Sequence, residues 1–408
     1  MRRRFFTILA SLALAAGAAA PVAAQDQPPG IRLGAPYSVQ RPLVAVRPFS
    51  GPAPIAEALD SITTIVQRDL TNSSRYNMMA SVPEALRTGD VDYRQWNGQN
   101  VVYLVTGSVT ATARGYELAL VIHDVVYTRI MHEARYALPA ATEPDFRMAV
   151  HAISDEVVRR TVNLPGAAAT RIAMARKNGS GNDDLLVVDA DGFGLRRIAG
   201  FGGQLYSPVW SPDARRILYT INTEQGWRLV ERDVRSGSQR MIDPGSGGMV
   251  LSIAYAPDGR SIALGLMPGN ATELYTYDLQ QQCCLRKLSG TGSSITMYPT
   301  YSADGRRMAF QSDRTGRPSI YVSDASAARP TMVTPFVSGQ ASDYAAPSWS
   351  PTSSRIAFHG HWHKRGNWQY QIMLADADRP GSAIEQITTR GNNEDPSWAP
   401  DGRHLVYT

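Results

Sequence analysis

Trp210-Ser211-Pro212-Asp213-Ala214-Arg215, followed by the apolar run Ile217-Leu218-Tyr219, decides the fold because it recurs. Tyr255-Ala256-Pro257-Asp258-Gly259-Arg260 leads into Ile262-Ala263-Leu264, and Tyr301-Ser302-Ala303-Asp304-Gly305-Arg306 into Met308-Ala309-Phe310. Trp349-Ser350-Pro351 precedes Ile356-Ala357-Phe358, and Trp398-Ala399-Pro400-Asp401-Gly402-Arg403 precedes Leu405-Val406-Tyr407. The copies start 45, 46, 48 and 49 residues apart. A fixed period of that size is the signature of a β-propeller, with one four-stranded blade per repeat.

Within a repeat each residue type has a structural reason. The Asp-Gly pair is a tight turn between the first and second strands, where a positive φ is needed. The aromatic before it is an apolar wedge between blades. Asp189, Asp233, Asp278, Asp324 and Asp376 close the third strands, where a carboxylate accepts from the amides of the next turn. None of these is read as catalytic.

From Thr170 onward the chain is an all-β array of short strands. Residues 170–207 supply three strands (172–175, 185–188, 195–198) with no signature before them. Four complete repeats follow, and the last copy starts at Asp395 and reaches Thr408 after two strands. The expectation is a six-bladed propeller over 170–408 with its last blade incomplete. The alternative is a five-bladed ring in which residues 396–399 close the first blade.

Before the array, residues 43–165 read as a small α/β (α+β) domain. Leu43-Val44-Ala45-Val46 is a buried strand. Ile55, Leu59, Ile62, Ile65, Val66 and Leu70 recur at helical spacing, so 55–71 is an amphipathic helix. A strand is expected at 76–80 and a short helix from Pro83. Three strands rich in β-branched and aromatic residues follow at 101–109, 116–126 and 129–138. Thr142 with Asp145 resembles a capping box, opening a helix whose apolar face is Phe146, Ala149, Val150, Ile153, Val157 and Val158.

The first residues are not part of the fold. Arg2-Arg3-Arg4, an apolar run from Phe5 to Ala20, and Val22-Ala23-Ala24 form a secretory signal peptide, residues 1–24. Its removal takes away three arginines and no acid, so the formal charge falls from +5 to +2. Such a weakly basic chain gives no case for nucleic acid. Direct membrane insertion is not expected, nor is a disulfide framework. Cys283 and Cys284 are neighbours, and the Cα atoms of neighbours lie about 3.8 Å apart, too close for an unstrained bridge. An unused pair is the preferred reading, with a strained vicinal ring as the alternative. Residues 25–42, rich in Gln, Pro and Gly, read as a mobile tail.

The signal peptide, the small domain and the propeller together resemble the TolB family, the exported propeller component of the Tol–Pal envelope system. The resemblance extends to Leu43-Val44-Ala45-Val46-Arg47-Pro48-Phe49, to Ser154-Asp155-Glu156-Val157 through Thr170-Arg171-Ile172-Ala173, and to Val188-Asp189-Ala190-Asp191-Gly192. It implies a periplasmic, non-enzymatic protein that holds a Pal-like lipoprotein on one propeller face. It also implies a TolA-like inner-membrane protein bound through the tail, with roles in outer-membrane integrity and cell division.

Candidate docking loops precede each signature aromatic, at 204–207, 249–252, 294–298, 343–346 and 392–395. The residues chosen are Leu205, Met249, Val250, Thr296, Met297, Tyr298, Tyr344, Asn393 and Glu394, with Gln25, Asp26, Ile31 and Arg32 in the tail. A monomer without cofactor is expected.

The enzymatic alternative, a hydrolase or lyase in the central channel, finds little chemistry. There is no Gly-x-Ser-x-Gly, Walker loop or His-Glu-x-x-His. The inner strands, such as Ser-Pro-Val-Trp and Tyr-Pro-Thr-Tyr, carry almost no titratable side chains. A saccharide- or peptide-binding paralogue is a further alternative. His359, His361 and His363 alternate, sharing a face if they lie on a strand, and are metal candidates. Lys364 and Arg365 beside them repel a cation, so a solvated hairpin is preferred.

Overall fold

A computed structural model describes residues 31–33 and 41–408, apart from 180–181, 201, 225, 246, 289–293, 336–342 and 365–366. The first unit is a five-stranded sheet in the order Asn77–Met78, Leu43–Val46, Tyr103–Thr112, Gly115–Asp124, Arg129–Pro139. Leu43–Val46 runs parallel to both neighbours, and the last three strands form antiparallel hairpins. Helices α1 (Ala56–Asn72) and α3 (Phe146–Val162) cover one face. Ile62, Leu70, Val150 and Val157 are essentially sealed from water there. The other face packs around Trp96 on α2 (Tyr93–Gly98), a short helix the apolar spacing did not announce. Asp145 caps α3 without a side-chain bond, so the expected capping box does not form.

The expectation of six blades is corrected. Among the described residues the chain builds five blades plus a two-stranded hairpin, Ser397–Trp398 with Leu405–Val406. Blade one has three strands, Arg171–Lys177, Asp183–Asp189 and Arg196–Gly200, lacking a first strand as read from the sequence. Blades two to four have four antiparallel strands each. The five-bladed alternative also changes in detail, because Ser397–Trp398 pairs with its own hairpin partner, not with blade one.

Blade five gains a fifth strand. Ile31–Leu33 pairs in parallel with Ile384–Gln386 at its edge, so these three residues of the stretch expected to be a mobile tail form a strand. A sheet edge offers a row of unpaired backbone groups, and an extended segment satisfies them whatever its side chains.

Between successive blades sits one apolar core, each holding a signature aromatic. Trp210 packs between blades one and two, Tyr255 between two and three, Tyr301 between three and four, and Trp349 between four and five. The turn chemistry follows the sequence reading. Gly259, Gly305 and Gly402 have φ of 68, 68 and 62°. The Asp213, Asp258, Asp304 and Asp401 carboxylates each accept the amide two residues on, at 2.9 to 3.1 Å. Asp233, Asp278, Asp324 and Asp376 accept amides of the turn after the third strand. Asp189 instead takes Arg171 Nε, at 3.1 Å.

Cys283 and Cys284 are joined as a vicinal disulfide, which corrects the preferred reading of an unused pair. The reason is a bulge. The register slips between Thr276 and Asp278, and Cys284 takes φ 67°, leaving the extended geometry that would point neighbouring side chains apart.

Candidate functional site

The first strands of blades two to five stand side by side around the ring axis, followed by Ser397–Trp398. Hydroxyls tie them blade to blade. Ser252 Oγ accepts the Tyr298 amide at 2.8 Å, Thr300 Oγ1 the Trp349 amide at 3.2 Å, and Ser348 Oγ the Trp398 amide at 3.3 Å. Each first strand is bulged, at Tyr206/Val209, Val250/Ser252, Met297/Thr300 and Ala345/Ser348. Ser207, Tyr298, Ala346 and Asp395 have φ of 49, 53, 50 and 51°, and each precedes a proline. A residue before proline ordinarily stays extended, so these four hold an uncommon conformation around the channel mouth.

The two sides of the ring differ. The N-terminal unit contacts the propeller at Asp191, in the turn after blade one's second described strand, at Arg235 in a third-to-fourth-strand turn, and at Arg403 in a signature turn. All of these lie on the side where first strands meet second and third meet fourth. The segments opening the first strands lie on the opposite side, and they contain the residues chosen from the sequence.

Those residues divide by burial. Leu205, Val250, Thr296 and Tyr344 are buried: the Leu205 amide donates to Asp183 Oδ2, Thr296 bonds Ser312, and Tyr344 stacks edge-on against Phe358. Met249, Met297, Tyr298, Asn393 and Glu394 are half-buried at the surface. Burial raises the Tyr298 hydroxyl above its ordinary value, and the charges of Asp395 and Glu394 add to that. Gln25 and Asp26 lie outside the described residues, as do the side chains of Ile31, Arg32 and His363.

Sequence reasoning missed part of this mouth. His359 and His361 lie within the strand Arg355–Lys364, not in a hairpin loop. His359 Nδ1 accepts the Asp395 amide at 3.1 Å, and the ring packs edge-on against Tyr370, on which His361 stacks at 4.7 Å. Burial pushes the His359 imidazole down to about 4, opposed by the Glu394 charge. Desolvation pushes the Asp395 carboxyl up. With Nδ1 committed to an amide, His359 serves as a neutral acceptor that positions the final hairpin. The His-x-His alternation was visible in the sequence, but its hydrogen-bond partner lies 36 residues away.

No described helix is long and apolar enough to cross a membrane. Comparison with known proteins agrees with the architecture. Tol-Pal system protein TolB of Actinobacillus pleuropneumoniae serotype 5b is 28% identical over 204 residues, 49% of this chain and 46% of its own length. That of Haemophilus influenzae strain PittGG is 29% identical over 209 residues, 49% of this chain and 47% of its own. The chain thus aligns with about half the length of these curated relatives. The crystal structure of TolB from Acinetobacter baumannii superposes with a TM-score of 0.74 at 24% identity, covering 90% of this chain and 88% of that one, a likeness of fold. The model of the TolB amino-terminal domain matches residues 36–131, and that of the TolB beta propeller domain matches 159–408. The chain belongs to the TolB family.

Proposed function

We propose that the chain is a non-enzymatic periplasmic interaction protein that links a Pal-like lipoprotein to TolA-like inner-membrane machinery, supporting outer-membrane integrity during division. One observation carries the reading. The N-terminal unit covers the turn side of the propeller, so the mouth ringed by Met249, Met297, Tyr298, Asn393 and Glu394 is the rigid face left for a partner. A ring that presents loops from a fixed scaffold suits binding. The twenty-four-residue leader supports export, and residues 25–34 are the proposed contact for the inner-membrane protein. The pairing of Ile31–Leu33 with blade five gives that segment an internal alternative partner.

The test is capture of a peptidoglycan-associated lipoprotein from solubilised envelopes by the mature chain. Tyr298→Ala with Glu394→Ala is expected to reduce capture at least about tenfold, the equivalent of 1.4 kcal/mol, while Arg306→Ala, in an exposed signature turn on the opposite side of the ring, leaves it unchanged. Equal capture by all three proteins sinks the assignment of the face. Deletion of 25–34 is expected to abolish capture of the inner-membrane protein alone.

A second reading, a lyase or hydrolase in the channel, is favoured by the buried imidazole of His359, whose Nδ1 lies 3.7 Å from Asp395 Oδ1. Turnover of oligosaccharide or peptide substrates that is lost in His359→Asn would support it.

A further inference from the structure

The contact between the two units is built like a receptor with its ligand in place. The turn after Asp183–Asp189 carries Asp191 and Phe193 against helices α1 and α3. Asp191 Oδ2 accepts from Arg68 Nη2 on α1 and from Arg147 Nη2 on α3. Both guanidinium carbons lie 4.5 Å from the centroid of the Phe193 ring, so one turn supplies a carboxylate and an aromatic face to the same two arginines.

The N-terminal side is preorganised. Asp69 Oδ2 accepts Ser154 Oγ at 2.7 Å and lies 2.7 Å from His151 Nδ1, which fixes the ring. His151 has no exposed surface, and its Nε2, aimed at Asp191 Oδ2 from 3.6 Å, makes no hydrogen bond. Asp69, His151 and Asp191 bring ligand-type atoms within 4.8 Å of one another. A dication there would meet two guanidiniums already seated on Asp191, so the charges favour an anion. Without Asp191, the two half-buried guanidiniums would lose the carboxylate they share.

We propose that Arg68, Arg147 and His151 form a carboxylate socket on the N-terminal unit, specific for an acidic residue two positions before an aromatic one. Asp191-Gly192-Phe193 is its resident plug. While the plug is seated, the socket fixes the propeller against the N-terminal unit. Once it is withdrawn, the socket accepts an Asp-Gly-Phe-like segment presented by another chain.

The probe is a fluorescein-labelled peptide with the sequence of residues 187–196, followed by anisotropy against the full mature chain. Wild type is expected to show no binding. Asp191→Ala with Phe193→Ala is expected to bind, and adding Arg147→Ala is expected to weaken that binding at least tenfold. A double variant that binds no better than wild type, or binding indifferent to Arg147, overturns the proposal. Asp191→Asn, which keeps the turn's volume, provides a readout that does not depend on the peptide: cleavage across 163–170 by limited proteolysis is expected to quicken several-fold. Unchanged cleavage there overturns the plug's role in fixing the two units. Unlabelled peptide added to wild type at high concentration is expected to quicken cleavage across 163–170 by unseating the plug, and cleavage unchanged by the peptide overturns the claim that the socket accepts a segment from another chain.

Discussion

His359 shows what one side chain contributes to the mouth. Its ring is neutral in the fold, with an imidazole pushed down to about 4. An unfolded chain takes up a proton as pH falls through about 6.5. Between those values the unfolded state binds more protons, so the contribution of His359 to stability is full above pH 6.5 and is lost as pH falls toward 4. The loss is on the order of 3 kcal/mol at most. Urea unfolding at pH 7.5, 5.5 and 4.5 is expected to show this slope, and His359→Asn is expected to flatten it; an identical slope in the variant refutes the assignment. Gly305→Ala tests the turns. With φ 68° a β-carbon is strained even though space exists, and a loss of about 1–2 kcal/mol is expected on chemical denaturation. Local rules made these turns readable, because Asp and Gly act within three residues of themselves. The Cys283–Cys284 bridge was not readable, because it depends on a one-residue register slip that no side chain announces.

Strands and helices are held by two devices, of which only one was legible. The aromatic wedge was readable from its recurrence. Trp349, nearly sealed between blades four and five, is expected to cost about 3–5 kcal/mol as Trp349→Ala, measured by denaturant midpoint. The hydroxyl ties could not be read, since a Ser or Thr in a first strand looks like any other polar strand residue. Ser252→Ala leaves the Tyr298 amide without its acceptor in a buried setting. A cost of about 1–3 kcal/mol is expected. Hydrogen exchange at Tyr298 should rise with it, and an unchanged rate would show that another acceptor takes over. Helix α2 escaped notice for a different reason: six residues around one Trp present too few apolar positions to register a period.

At the scale of the whole molecule, the class of each unit was legible and the blade count was not. Repeats spaced 45 to 49 residues apart fix the type of ring. How many sheets the described chain assembles depends on long-range pairing, here the edge strand Ile31–Leu33 on blade five and the self-paired hairpin at 397–406. The arrangement of the two units was also out of reach, because Arg68, Arg147 and Asp191 carry no signature that links them. Asp155 adds a second tie. Its carboxylate accepts the amides of Ala168 and Ala169 at 2.8 and 2.9 Å, pinning the segment between α3 and blade one. Asp155→Ala is expected to lower stability by about 1–3 kcal/mol and to speed proteolysis at that segment; unaltered cleavage would place the hinge elsewhere.

The four left-handed residues at the channel mouth have a mechanical consequence. Each is followed by a ring that locks the next φ and narrows the conformations open to the residue before it. The lip is a collar pre-bent at Ser207, Tyr298, Ala346 and Asp395, each held next to a proline. A ligand settling on such a collar orders few new degrees of freedom. Calorimetry of a complex formed there should therefore give a heat-capacity change accounted for by the apolar area covered, with no excess from coupled folding.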